Sequence, residues 1–190
     1  MVRTNPYYLQ FTEKLFAESS NRPDFVLKHF EPGSFLLRQG AIATKVMVVK
    51  EGITKCYLSE VNGKDYIIEF LSTGESIGDL EAIRNTPCLC HVEALTSVQA
   101  YAIDMPYFKH LLERNLELNQ LLLQVLAERV MNTSLRSSAQ QLYTVEHGVK
   151  KLLELQTRQQ ASFSKEDMAA YLGITLRSLN RALKNLSEEA

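Results

Sequence analysis

The 190-residue sequence has no tryptophan and only three cysteines, Cys56, Cys88 and Cys90. Three thiols are too few for a disulfide scaffold, so a reducing, cytoplasmic setting is expected. No apolar run approaches the roughly 20 residues that a membrane span requires. The N-terminal MVRTNPYYLQ lacks the apolar stretch of a secretory signal. A strong charge of either sign is also missing: the formal net charge is −1. Overall composition therefore does not advertise nucleic-acid binding, and any such case must rest on local features. There is no P-loop, no H-E-x-x-H and no nucleophile elbow. We therefore nominate no catalytic residue, no metal site and no cofactor, and we expect no enzyme. Hydrophobic residues make up 45% of the chain, enough for a proper core.

The texture of the chain changes twice. Tyr7–Ser19 reads as a helix stopped at Asn21-Arg22-Pro23. From Phe25 to Asp104, short β-rich runs alternate with turns: FVLKHF, FLL, VMVVK, ITKCYLSE, YIIEF, CHVEAL and VQAYAID. Asn62-Gly63 between two such runs is a strong hairpin signal. Regular short strands punctuated by glycines predict a small barrel or sandwich. From Met105 the pattern is helical, with MPYFKHLLERN followed by a long segment from Leu116 to Gln141 that has no internal Gly or Pro. Leu116, Leu123 and Val130 recur every seventh residue, with Leu126 and Thr133 interleaved. Leu118, Leu122 and Val125 form a second stripe. Two apolar faces require two partners, here the chain's own β domain and a second copy of the chain. Burial within one chain is the alternative.

Thr144 can cap the helix VEHGVKKLLELQ, and the domain boundary falls near Ser138–Thr144. Ser164 can then cap a helix from Lys165, with Asp167 in the place of a capping-box acid. Met168, Ala169 and Leu172 line its inner face, and Gly173 provides a left-handed stop. Thr175 caps a second helix whose inner face is Leu179, Ala182, Leu183 and Leu186. This is the spacing of a helix-turn-helix. Its outward face carries Thr175, Arg177, Ser178, Arg181 and Lys184. Arginine reads guanine bidentately, and Ser or Thr holds phosphate. A helical hairpin with a solvated charged face is the competing explanation. Seven basic residues against six acidic ones from Thr144 to Ala190 give only weak attraction for phosphate.

A β roll, a long helix and a helix-turn-helix in that order resemble the CRP/FNR family of bacterial transcription regulators. The resemblance runs from about Phe25 to Leu186. Its roll glycines fall at Gly33, Gly40, Gly52, Gly63, Gly74 and Gly78. AERVMNTSLRSSAQQLYTVEHG matches the long helix and hinge, and TLRSLNRALKNL sits where the recognition helix lies. GDLEAI and AAYLGITLRSL most resemble the YeiL-type branch. The resemblance implies an α+β chain. An N-terminal double-stranded β-helix (jelly-roll-like) sensor would occupy 1–110, a dimerisation helix with hinge 111–143, and a helix-turn-helix 144–190. It also implies a homodimer on double-stranded DNA, with recognition helices ~34–36 Å apart on a near-palindromic operator. RNA polymerase would be a further partner of an activator. Arg181 is the first expected base contact, with Arg177 and Thr175 next, contacting bases or phosphate. The family often has Arg-Glu where this chain has Leu176-Arg177, so its operator should differ from the commonest family sites.

The same resemblance outlines an effector pocket at Gly78, Asp79, Leu80, Cys88, Leu89, Thr133 and Ser134. Asp79 stands in place of the usual ribose-binding Glu, and Thr133 and Ser134 match the base-contacting positions. The phosphate clamp, normally Arg followed by Ser or Thr, falls on Cys88-Leu89. Without that Arg a buried phosphate lacks its main charge partner, so cyclic AMP is disfavoured and another small molecule, or none, is expected. Cys88 and Cys90 would alternate on one strand face about 6.5–7 Å apart, at or beyond disulfide range. His91 would point to the opposite face. Structural cysteines and a redox switch are the two readings. Family members usually continue into a β-hairpin wing, whereas this sequence closes with NLSEEA. Either the sequence is a truncated form or the regulator is wingless. A small, loosely held C-terminal domain with weakened DNA affinity would follow. A ligand-binding module that has lost DNA binding is the alternative function.

Overall fold

The computed structural model describes residues 2–19, 22–159 and 161–188, so Asn21 and Glu189, named in the sequence reading, lie outside the described residues. Two sheets form the N-terminal roll. One has the order β1 (Val2–Arg3), β6 (Asp65–Leu71), β5 (Thr54–Ser59), β8 (His91–Ala94), β3 (Phe35–Leu37). The other has the order β2 (Phe25–Phe30), β9 (Val98–Asp104), β4 (Lys45–Glu51), β7 (Ser76–Ile77).

The alternation of side chains explains how β4 and β9 serve two cores at once. Val46 and Val48 of β4, with Tyr101 and Ile103 of β9, face the helical layer. Met47 and Val49, with Val98, Ala100 and Ala102, face the roll interior. That interior also takes Leu36, Cys56, Leu71, Ile77, Val92 and Ala94, giving a continuous apolar core.

Glycine is required where the roll closes on itself. A Cβ at Gly74 (φ +82) would lie 1.8 Å from the Asn5 carbonyl oxygen, and one at Gly78 (φ +88) 2.8 Å from that of Lys45.

The helical layer comprises α1 (Pro6–Glu18), α3 (Met105–Arg114) and the long α4 (Leu116–Leu142), and a short α2 (Asp79–Arg84) leaves the roll after Gly78. Asn115 Oδ1 accepts the Leu118 amide and so caps α4. The two stripes of α4 separate as the periodicity predicts. Leu118, Leu122 and Val125 are buried against the roll, while Leu116, Leu123 and Val130 are more than two-thirds exposed. No helix among the described residues is long and apolar enough to cross a membrane.

The strand runs match closely, with FVLKHF, FLL and VQAYAID reproduced as β2, β3 and β9. Three elements were not anticipated: β1, β7 and α2. Residues 86–90 are irregular and β8 begins only at His91, so Cys88 and Cys90 do not share a strand as expected. His91 does face away from the roll interior, packing on Phe35 and Tyr57.

After the break at Tyr143–Thr144 come α5 (Val145–Gln159), α6 (Lys165–Leu172) and α7 (Leu176–Glu188). Their core is Val149, Leu152, Met168, Ala169, Leu179 and Ala182. This unit lies on the outer face of the five-stranded sheet. Phe163 stacks on Phe70 at 4.0 Å between ring centroids. Tyr171 also packs on Phe70. Lys55 Nζ reaches Asp167 at 3.0 Å, and the Gln159 amide exchanges two hydrogen bonds with the Val2 backbone. These contacts argue against the expectation of a loosely held C-terminal unit. The outer sheet face presents Tyr57, Ile67 and Phe70, and burying that apolar surface holds the unit in place.

Limited proteolysis tests this docking. The wild-type C-terminal unit should resist cleavage nearly as well as the roll. Phe163→Ala should expose the Tyr143–Thr144 break to faster cutting, by roughly tenfold for a loss of about 1.4 kcal/mol. Unchanged kinetics would show that the stacked pair does not hold the unit.

Candidate functional site

Two sites can be built from the residues upward: a polar centre where the roll meets α4, and the outward face of α7. At the first, the Gly78 turn delivers Asp79 to the start of α2, where it is 2% exposed. Ser76 Oγ donates to Asp79 Oδ2 at 2.6 Å. Arg129 enters from α4, with Nη1 at 2.9 Å from both Asp79 oxygens. Its Nη2 donates to the Ser76 carbonyl.

Arg3, from the unanticipated β1, joins the same cluster. Its guanidinium lies 3.0 Å from Glu69 and 3.4 Å from Glu75. Arg129 also approaches Glu69 and Glu75 at 3.8 Å. The buried Arg3 and the partly buried Arg129 thus face three carboxylates, with the exposed Glu128 at 3.9 Å from Arg3. Burial works against the Arg129 charge, but Asp79, Glu69 and Glu75 outweigh it and raise its pKa. Glu75 is the weak member. Burial raises its pKa despite Arg3 and Arg129, and its Oε2 has no hydrogen-bond partner among the described residues.

This arrangement disperses the expected effector residues. The carboxylate expected to hold a ribose already holds Arg129. Leu80 is partly exposed, and its amide is satisfied by the Asp79 side chain. Cys88 is buried in irregular backbone, while Leu89 is largely exposed and its amide donates to Glu81. Thr133 lines a separate cavity of about 160 Å³ with Arg3, Ile68, Glu69, Asn132, Arg136 and Tyr171. Ser134 is exposed. Arg136 donates to the carbonyls of Ile67 and Ile68 and sits over the Tyr66 and Tyr171 rings, clipping α4 to both the roll and α6. The sequence reading did not single out Arg3, Glu69, Glu75, Arg129 or Arg136. The one available signal was Arg129, four residues before Thr133 and so on the same helix face.

The second site follows the predicted pattern. The Ser164 hydroxyl accepts the Asp167 amide at 2.9 Å and donates to the Asp167 carboxylate at 2.8 Å. Gly173 adopts φ +68 and ends α6. Thr175 Oγ1 accepts the Ser178 amide at 3.2 Å, capping α7. Leu179 and Ala182 are buried, while Arg177, Arg181 and Lys184 are exposed. Arg177 and Arg181 have no hydrogen-bond or ion-pair partner among the described residues. Lys184 pairs with Glu188 at 3.6 Å. Thr175, Leu176 and Ser178 line a groove of about 840 Å³ opposite the Asn62–Asp65 hairpin, and the three basic side chains are not among its walls.

The comparisons with known proteins bear on the fold that carries these two sites. The family described as "Cyclic nucleotide-binding domain" matches residues 27–115. No curated protein sequence matches the chain. The c-di-GMP-responsive global regulator CLP of Xanthomonas campestris superposes with a TM-score of 0.79 at 16% identity, covering 95% of this chain and 92% of that one. FixK2 of Bradyrhizobium japonicum gives 0.74 at 19% identity, covering 87% and 85%. A CRP/FNR-family transcriptional regulator of Thermus thermophilus gives 0.73 at 17%, covering 87% of each chain. Residues 27–115 match the cyclic nucleotide-binding domain model, and the chain as a whole has the fold of these CRP/FNR-type regulators. These matches carry that fold and not the YeiL-type branch within it.

The buried cluster makes two predictions. Arg129→Ala strands Asp79 beside Glu69 and Glu75, and should cost about 3–5 kcal/mol in denaturant unfolding. Glu75→Gln should be mild. Its raised pKa means Glu75 contributes stability that is complete below its ordinary value of 4.5 and lost as pH rises through the raised value. The wild-type minus Glu75→Gln stability difference should therefore fall as pH climbs from 4.5 towards neutrality. A flat difference would remove Glu75 from the cluster's electrostatics.

Proposed function

We propose that the protein is a homodimeric DNA-binding transcription regulator, with α7 as its reader. The observation that carries this is the face of α7. Arg177 and Arg181 stand one helical turn apart, exposed and without partners among the described residues, on a helix whose opposite face buries Leu179 and Ala182. Unpartnered arginines in that arrangement suit the guanine edges of a major groove, with Thr175, Ser178 and Lys184 suited to phosphate. The exposed stripe of Leu116, Leu123 and Val130 supports pairing of two long helices, and Met131 and Leu135 extend it. Two such readers would recognise a near-palindromic operator. If the protein activates, the same assembly would engage RNA polymerase. That the regulators named above share the fold supports the reading by analogy.

Cyclic AMP is not the proposed effector. The Asp79 carboxylate is engaged by Arg129, and Cys88-Leu89 offers no cation to a phosphate. The small cavity beside Thr133 leaves room for a different, smaller ligand.

Selection from a random duplex pool at fixed salt tests the reader. The recovered site should be near-palindromic, and Arg181→Ala should lower its affinity by about 1–3 kcal/mol and relax discrimination at one position per half-site. Enrichment indifferent to Arg181 would reject α7 as the reader. Leu123→Glu should convert a dimer to a monomer in light scattering, and the salt slope of DNA binding should fall with it.

A further inference from the structure

Only three sulfur atoms of cysteine exist in the chain, and the fold brings two of them together from positions 34 residues apart. Cys56 Sγ lies 2.7 Å from Cys90 Sγ. The register explains the meeting. Cys56 of β5 pairs with Val92 and Tyr57 with His91. Cys90 therefore continues the line of Val92, one diagonal step from Cys56 on the inner side of the sheet. Both thiols pack into the roll's apolar interior. Cys88, two residues away, makes no sulfur contact with either among the described residues.

Neighbouring thiols in a core are usually either a ligand pair or inert packing. The spacing rejects the first, because Zn–S bonds of about 2.3 Å would hold the sulfurs farther apart. No group of three or more metal-binding side chains occurs among the described residues. The asymmetry of the pair argues against inert packing. Cys56 is buried and Cys90 half-buried. The hydrogen bond to Cys90, and then burial, raise the Cys56 pKa, so Cys56 keeps its proton against the Cys90 sulfur. Cys90 is the less buried of the two and so the sulfur nearer to an incoming oxidant, with Cys56 aligned behind it.

We propose that Cys56 and Cys90 are a reversible thiol–disulfide site whose oxidising substrate is a small hydroperoxide. Cys90 sulfur attacks the peroxide, taking one oxygen as a sulfenic acid and releasing an alcohol or water. Cys56 sulfur then attacks the sulfenic sulfur, an S–S bond forms, and the sulfenic oxygen leaves as water with the Cys56 proton. Two thiols lose two electrons, and the hydroperoxide gains them. Closure needs only about 0.7 Å of approach to reach the bonded distance of about 2.05 Å. The site has a route to the polar centre, because the Leu89 amide between the cysteines donates to Glu81 at 3.1 Å. Glu81 belongs to α2, whose first residue is Asp79, the partner of Arg129. Oxidation at Cys90 thereby pulls on the helix that holds α4. This relay, unlike the disulfide, rests on the DNA-binding reading.

The test uses the full-length reduced protein and hydrogen peroxide. After alkylation, peptide mass mapping should show Cys56 linked to Cys90 and Cys88 alkylated, with dithiothreitol restoring three alkylated thiols. Cys88→Ser should oxidise identically, and Cys56→Ser should leave a sulfenic acid at Cys90 that dimedone traps. Three free thiols after peroxide, a Cys88–Cys90 link, or cross-linking between chains would overturn the proposal. In a second arm, oxidised and reduced protein are titrated on the selected operator. A change of tenfold or more, absent in Cys90→Ser, supports the relay. Intact disulfide chemistry with unchanged DNA affinity overturns the relay alone, and absence of DNA binding in both states rejects the reader instead.

Discussion

The pairing of Arg129 with Asp79 is the interaction on which most of the architecture depends. It joins α4 to the turn at Gly78, and through Glu69 and Glu75 it draws in Arg3 and the N-terminal strand. Ions taken out of water are stable only when each finds its counter-charge and its hydrogen bonds. Here the cluster carries one carboxylate more than its buried cations balance, and the strain is concentrated on Glu75, whose charge burial disfavours. The arrangement therefore specifies geometry more than it adds stability. Together with the buried Leu118, Leu122 and Val125 on the same face, it sets the rotation of α4 against the roll.

Everything downstream inherits that rotation. Leu118, Leu122 and Val125 turn inward, and the Leu116, Leu123 and Val130 stripe stays exposed. Arg136, two turns beyond Arg129, is set to bind the β6 carbonyls and to lie between Tyr66 and Tyr171. The C-terminal unit consequently rests on the sheet through Phe70 and Phe163. The same cluster engages Asp79, the acid that the family resemblance assigns to a ribose. A fold shared with nucleotide-responsive proteins thus has its interior committed to an internal salt bridge, an apolar core and a thiol pair.

Much of this was legible along the chain because it is local. Strand alternation, the Asn62-Gly63 turn, the Ser164 and Thr175 caps and the Gly173 stop are set by neighbours within a few residues, and each appears where the pattern places it. The heptad stripe of α4 was equally readable, since helix geometry alone assigns its faces. The two-residue strands β1 and β7 were not, because they exist only by pairing with β6 and β4. Cys88 and Cys90 were read as one strand face because the alternation looked continuous there. The backbone instead bonds to Ala41 and stays irregular until His91.

The sequence alone thus determined the order of the roll, long helix and helix-turn-helix, and the identity of the basic face on α7. Those follow from periodicity and capping, which act over short separations. Tertiary structure alone decided that Asp79 answers to Arg129, that Arg3 belongs to the same centre, and that Cys56 meets Cys90. Each of these joins residues 34 or more positions apart. Such contacts depend on strand register and on the rotation of α4, and no local pattern encodes either.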